Sequence, residues 1–128
     1  MAATDPVEDL VADVFARACT SRAVLENVAG KWGILALAAL SDGAYRFNAL
    51  RRKVDGISEK MLAQTLQALE RDGLVRRDVQ ATIPPRVEYS LTPMGEKISF
   101  KLLELIELVE GEMPEVQVAR ARYDDARQ

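Results

Sequence analysis

A mainly helical α+β fold is what the sequence predicts, and three observations carry it. Two short helical segments stand back to back between Ala49 and Arg71, separated by Asp55-Gly56. The apolar period then changes from helical to alternating between Leu74 and Leu91, and longer amphipathic segments flank the block on both sides. Helix, tight glycine turn, helix and then a β-hairpin is the winged helix-turn-helix layout. At 128 residues the chain can enclose one core of its own.

Val7, Leu10, Val11, Val14 and Phe15 recur on one helical face, with Asp5 and Pro6 suited to its start. A second helix is expected from about Arg22 to Leu40. Val24, Leu25, Val28, Trp32, Leu35 and Ala39 form its stripe, and Ser41-Asp42-Gly43 stops it. Asn48 is the expected cap of a short helix over Ala49 to Val54. Ser58 is the expected cap of the next, which runs to about Arg71 and ends at Asp72-Gly73. At about 100° per residue, Leu62, Thr65, Leu66 and Leu69 lie on one side of that helix. Lys60, Gln64, Gln67 and Arg71 lie on the opposite side.

Val75, Arg77 and Val79 alternate with Leu74, Arg76 and Asp78; Val87, Tyr89 and Leu91 alternate with Arg86, Glu88 and Ser90. Two antiparallel strands are expected, with Pro84 and Pro85 in the loop because neither can donate to a ladder. Thr92-Pro93 opens the last helix as cap and first residue. Ile98, Leu102, Leu105, Ile106 and Val109 form its stripe, widened by Leu103 and Leu108. Gly111 and Pro114 are expected to weaken or end it. The chain thus divides as one domain, 1–128. It comprises an N-terminal dimerisation helix in 1–20, a winged-helix core in 21–92, a C-terminal dimerisation helix in 93–114 and a polar tail in 115–128. Trp32, Phe47, Tyr89 and Phe100 are expected in the core.

Composition narrows the function. Hydrophobic residues make up 48% of the chain, which fits a folded domain. The longest apolar run, Ile34 to Leu40, is too short for a membrane span. The acidic start (Asp5, Glu8, Asp9) is unlike a signal peptide, so a cytoplasmic protein without membrane contact is expected. A single cysteine excludes an internal disulfide framework, and histidine is absent. No P-loop, nucleophile elbow or dinucleotide-binding glycine pattern occurs, so neither an enzyme nor a cofactor or metal site is expected. The net charge of −3 conceals an asymmetry: Tyr45 to Ser90 holds nine basic and six acidic residues. Phosphate contact depends on this local field rather than on the whole-chain sum.

In a winged helix the second helix enters the major groove, where Lys and Gln reach base edges. Lys60 and Gln64 project from its N-terminal half, with Gln67 and Arg71 on the same side. Ser58 and Thr65 can donate hydroxyls to phosphate. Arg76, Arg77 and Arg86 supply the charge of the hairpin. Taken alone these side chains read as a solvated face; the hairpin immediately downstream turns the reading toward a double-stranded DNA operator. The competing reading is a dimeric adaptor that has lost DNA binding. It calls for acidic or bulky apolar residues on the Lys60/Gln64 face, and these are absent.

The residues also resemble the HxlR family of bacterial winged-helix regulators, relatives of the MarR group. The resemblance rests on Gly30-Lys31-Trp32, Arg46-Phe47 with Leu50, Ile57-Ser58 with Lys60 and Leu62, Thr65-Leu66 and Leu69-Glu70. It continues with Asp72-Gly73-Leu74-Val75, Arg77, Pro84-Pro85-Arg86-Val87-Glu88-Tyr89, Leu91-Thr92 and Gly95. It implies a homodimer held by the terminal helices, an inverted-repeat operator and a repressor's role. By position it places Ser58, Lys60, Met61, Gln64 and Thr65 at the groove and Arg77 and Arg86 on the wing. Ala49 stands where the family often has Glu, and Gln80 where it often has Tyr.

Cys19 lies 11 positions before Gly30, where many members of the family carry a cysteine. Some of them sense electrophiles or oxidants through it, though they usually follow it with Pro where this chain has Thr20. Arg17 and Arg22 are close in sequence and Ser21 is placed to cap the following helix; such surroundings lower a thiol's pKa. A redox sensor and a small buried apolar residue both remain open for Cys19. A small-molecule effector between the dimer helices and the winged domain is a further expectation, its identity open.

Overall fold

The computed structural model describes residues 14–128. The elements are α1 (Thr20–Ala29), α2 (Lys31–Leu40), β1 (Tyr45–Arg46), α3 (Phe47–Lys53), α4 (Glu59–Arg71), β2 (Val75–Gln80), β3 (Arg86–Leu91) and α5 (Pro93–Ala126). The strands form one antiparallel sheet in the order β1-β3-β2. This is the expected α+β winged helix. The amphipathic segment from Val7 lies outside the described residues except for Val14 and Phe15, which stand in a turn.

The helix expected from Arg22 to Leu40 is instead two helices that meet at 69°. Gly30 is extended there, with φ −67° and ψ 165°. A Cβ on Gly33 would fall 1.7 Å from the Asn27 carbonyl oxygen, and one on Gly30 would fall 2.6 Å from that of Glu26. Glycine alone permits the chain to fold back so closely. The apolar stripe runs on through the bend because both helices face one core, so periodicity does not reveal it.

Asn48 does not cap α3. The helix starts two residues earlier, at Phe47, with Arg46 at its N-cap and no side-chain capping bond. Tyr45 and Arg46 pair with Tyr89 and Glu88 of β3, which holds Arg46 extended and fixes the start. At the other end of the chain, α5 is not ended by Gly111 or Pro114 and continues to Ala126. A proline removes one hydrogen bond from the ladder, while the Ala, Arg and Glu residues beyond it favour helix.

Leu37, Leu50, Leu62, Leu66, Leu69 and Leu74 are the fully buried leucines. Burial of each contributes about 1.5–3 kcal/mol. Trp32, Phe47 and Tyr89 pack against this core as expected, and Leu102 joins it from α5. Phe100 does not: it is 61% exposed, because it sits on the side of α5 that turns away from the core leucines. Among the described residues no single helix is long and apolar enough to cross a membrane.

Candidate nucleic-acid interface

α4 is set by its caps and its buried face. Ser58 is extended, and its Oγ accepts a hydrogen bond from the backbone N–H of Met61 at 3.0 Å. Gly56 reaches φ +87° in the turn before it, a conformation that favours glycine. Arg51 of α3 donates to Oε1 of Glu59 at 3.0 Å and ties the two helices of the motif together. Leu62, Leu66 and Leu69 anchor α4 in the core. Lys60, Gln64, Gln67 and Arg71 are left as an exposed strip on the opposite side, with Met61 at its edge, 38% exposed.

Thr65 stands apart from that strip. It is half-buried and lines a cleft with Asn27, Gly30 and Trp32, so its neighbours are α1 and α2.

The C-terminal end of α4 is held from two sides. Asp72 at the C-cap accepts a hydrogen bond from Asn27 of α1 at 3.0 Å. The Thr92 hydroxyl donates to the Gly73 carbonyl at 2.6 Å and accepts from the backbone N–H of Gly95 at 3.0 Å. Gly95 lies against the Leu74 backbone, where a Cβ would come within 2.0 Å of the carbonyl oxygen. The Asp72-Gly73-Leu74 and Thr92-Pro93 segments therefore lock α4, the wing and α5 to one another.

The wing is the β2–β3 hairpin. Arg77 lies opposite Tyr89 and Arg86 opposite Gln80. Only Val75 of β2 is buried, so the hairpin extends beyond the core and its alternation is not matched by burial. Arg76, Arg77 and Arg86 are all exposed. Among the described residues the ion pairs are Arg22–Glu26, Arg51–Glu59 and Lys101–Glu104. Among the described residues, no cation of the strip or the wing has a carboxylate within 4.0 Å. Arg46, which the sequence argument uses only for the family resemblance and the charge of its segment, and Arg52, which it uses only for that charge, line a cleft with Arg86 between α3 and the wing. The two-residue strand that brings Arg46 there is too short to show alternation.

Cys19 occupies the N-cap of α1 and is half-buried, with its Sγ 2.9 Å from the Ser21 hydroxyl. Ser21 is therefore not the cap but a residue of the first turn. Arg22 directs its donors to Glu26 at 3.2 Å and to the Phe15 carbonyl at 3.1 Å.

A helix-turn-helix with a hairpin wing, whose second helix keeps Lys60, Gln64, Gln67 and Arg71 exposed on one side, defines a transcription regulator of the helix-turn-helix type. The family described as HxlR-like helix-turn-helix matches residues 27–117, and the chain belongs to it. The HTH-type transcriptional regulator YtfH of Escherichia coli K12 is 52% identical over 108 residues, covering 84% of this chain and 86% of YtfH. The structure of the regulator YtfH from Salmonella typhimurium matches with 52% identity and a TM-score of 0.79, covering 84% of this chain and 96% of that one. The reduced form of the redox regulator HypR matches with 35% identity and a TM-score of 0.70, covering 76% and 96%.

Proposed function

We propose that this regulator binds double-stranded DNA sequence-specifically as a homodimer and represses from the cytoplasm by occupying an inverted-repeat operator. The observation that carries the reading is the strip Lys60, Gln64, Gln67 and Arg71 on a helix anchored by three buried leucines. A rigid helix with donors at the first and second turns suits direct readout of base edges. After accepting the Met61 N–H, Ser58 retains a hydroxyl proton for a phosphate. Arg76, Arg77 and Arg86 on the wing and Met61 beside the strip complete the contact. Thr65 faces α1 and α2, so its part is to fix the helix's seat.

The exposed apolar residues Leu105, Leu108 and Val109 on α5, with Leu25 and Leu35 on α1 and α2, support a self-complementary dimer surface. Two inputs fit the same frame. Cys19, half-buried at a helix N-cap, supports a redox or electrophile response, and likeness to a redox regulator adds weight. A cavity of about 340 Å³ between α2, β3 and α5, lined by Leu40, Ser99, Phe100 and Leu103, supports a small-molecule effector. The reading is tested by selecting bound duplexes from a random-sequence pool with wild type and Gln64→Ala side by side.

A further inference from the structure

Four apolar side chains, Leu40, Leu91, Phe100 and Leu103, wall the cavity between α2, β3 and α5. At about 340 Å³ it stands at the small end of ligand pockets and suits a molecule of one or two rings. At about 100° per residue, its α5 residues Glu96, Ser99, Phe100 and Leu103 centre on the side of the helix opposite Leu105, Leu108 and Val109. The proposed dimer contact through those residues therefore leaves the cavity uncovered.

The polar groups of the cavity are mostly acceptors. Ser99, 1% exposed, donates its hydroxyl proton to the Leu37 carbonyl at 3.4 Å. The Ser41 hydroxyl donates to the Ala38 carbonyl at 2.5 Å. Both oxygens keep lone pairs while their protons are already placed. Ser90 of β3 adds a third hydroxyl. The backbone follows the same rule: the N–H groups of Ser41, Asp42 and Gly43 turn back to carbonyls of the last turn of α2. That turn is the C-terminal end of a helix and carries partial negative charge. Glu96 is the one ionisable side chain lining the cavity among the described residues, and none of their Lys or Arg nitrogens lies within 4.0 Å of its carboxylate. Lys101 stands 5.9 Å from the centre of the Phe100 ring but is paired with Glu104 at 3.5 Å.

An apolar wall with acceptors and a single carboxylate selects a ligand that brings donors and positive charge. The same lining rejects an anion of equal shape, which would meet Glu96 and the helix end without a donor. We propose that this cavity takes an arylalkyl ammonium ion, with the ring against Leu40, Phe100 and Leu103 and the ammonium group toward Glu96 and the seryl oxygens. A primary ammonium carries three donors and no acceptor, the complement of this lining. The inference rests on the reading of the cavity as an effector site and names the class of effector.

The test is isothermal titration of the full chain with three probes of similar shape: phenethylamine, 2-phenylethanol and phenylacetate, which are cationic, neutral and anionic at neutral pH. Phenethylamine binds about tenfold more tightly than the alcohol, as a charged hydrogen bond at a partly wet site contributes, and phenylacetate does not bind. Glu96→Gln removes the advantage of the amine and leaves the affinity for the alcohol unchanged. Phe100→Ala, at a residue 61% exposed, weakens amine and alcohol alike. Glu112→Gln, which removes a carboxylate of α5 that does not line the cavity, binds all three as wild type does. Melting temperatures confirm that each variant is folded. Wild-type affinity for phenethylamine in folded Glu96→Gln overturns the ammonium class, as does binding of phenylacetate as tightly as the amine. Either result leaves the effector cavity standing if Phe100→Ala weakens the binding that is seen; failure of all three probes to bind wild type at millimolar concentration overturns both.

Discussion

Asn27 donates to Asp72 at 3.0 Å across 45 positions of sequence and so ties the last turn of α1 to the C-cap of α4. Both side chains are half-buried. A hydrogen bond to a carboxylate is worth about 1.5–3 kcal/mol when shielded and nearer 1 kcal/mol when partly wet. Asn27→Ala should therefore lose about 1 kcal/mol, read as a fall of roughly 3–6 °C in thermal unfolding. An unchanged melting temperature would show that the tie contributes nothing.

Two glycines should respond in opposite ways to the same change. Gly33→Ala drives a methyl into the Asn27 carbonyl and cannot be relieved by a side-chain shift. It should cost more than about 4 kcal/mol or abolish folding. Gly111 has nothing within 4 Å of an added Cβ and lies inside α5. Gly111→Ala should stabilise by about 0.5–1 kcal/mol. Urea unfolding of both variants checks the pair.

The proposed dimer surface is best tested at residues that the isolated fold does not need. Leu102 is 8% exposed and belongs to the core, whereas Leu108 is 62% exposed. Leu105→Asp/Leu108→Asp should give a folded monomer, measured by sedimentation velocity with circular dichroism alongside. A variant that remains dimeric would place the interface elsewhere.

Oxidation at Cys19 has a defined set of ends. With one cysteine per chain, a mixed disulfide, a sulfenic acid or an intersubunit bridge are the products open to it. Each adds bulk or a covalent tie at the N-cap of α1, the helix whose far end bonds Asp72. Diamide should release wild type from DNA and leave Cys19→Ser bound, as gel-shift titration would show. Retention of both would make Cys19 a packing residue.

Much of the site was legible because local chemistry and global packing agree there. Ser58 caps, Gly56 and Gly73 turn, and Leu62, Leu66 and Leu69 bury, each at the position its residue type favours. The misses have a common cause in tertiary contact. The bend at Gly30 brings Gly33 against the Asn27 carbonyl, an approach that glycine permits and no apolar pattern records. The early start of α3 comes from pairing of Arg46 with β3, 42 positions away. Arg46 and Arg52 went unplaced for the same reason: sheet register brings Arg46 beside the wing, and Arg52 follows on the helix that starts there. Helical arithmetic already put Thr65 on the side of Leu62, Leu66 and Leu69, and the structure has it there, lining a cleft with α1 and α2; its place at the groove came from its hydroxyl and the family resemblance.

Selection of bound duplexes from a random-sequence pool tests the central claim most directly. The account predicts that wild type enriches an inverted repeat whose half-site centres lie about one helical turn, roughly 10 base pairs, apart. It predicts that Gln64→Ala enriches the same repeat with preference relaxed at one position in each half-site, a loss of about 1–3 kcal/mol of discrimination. A pool that stays random after selection with folded wild type would contradict sequence-specific binding, and an enriched site without two-fold symmetry would contradict the homodimer.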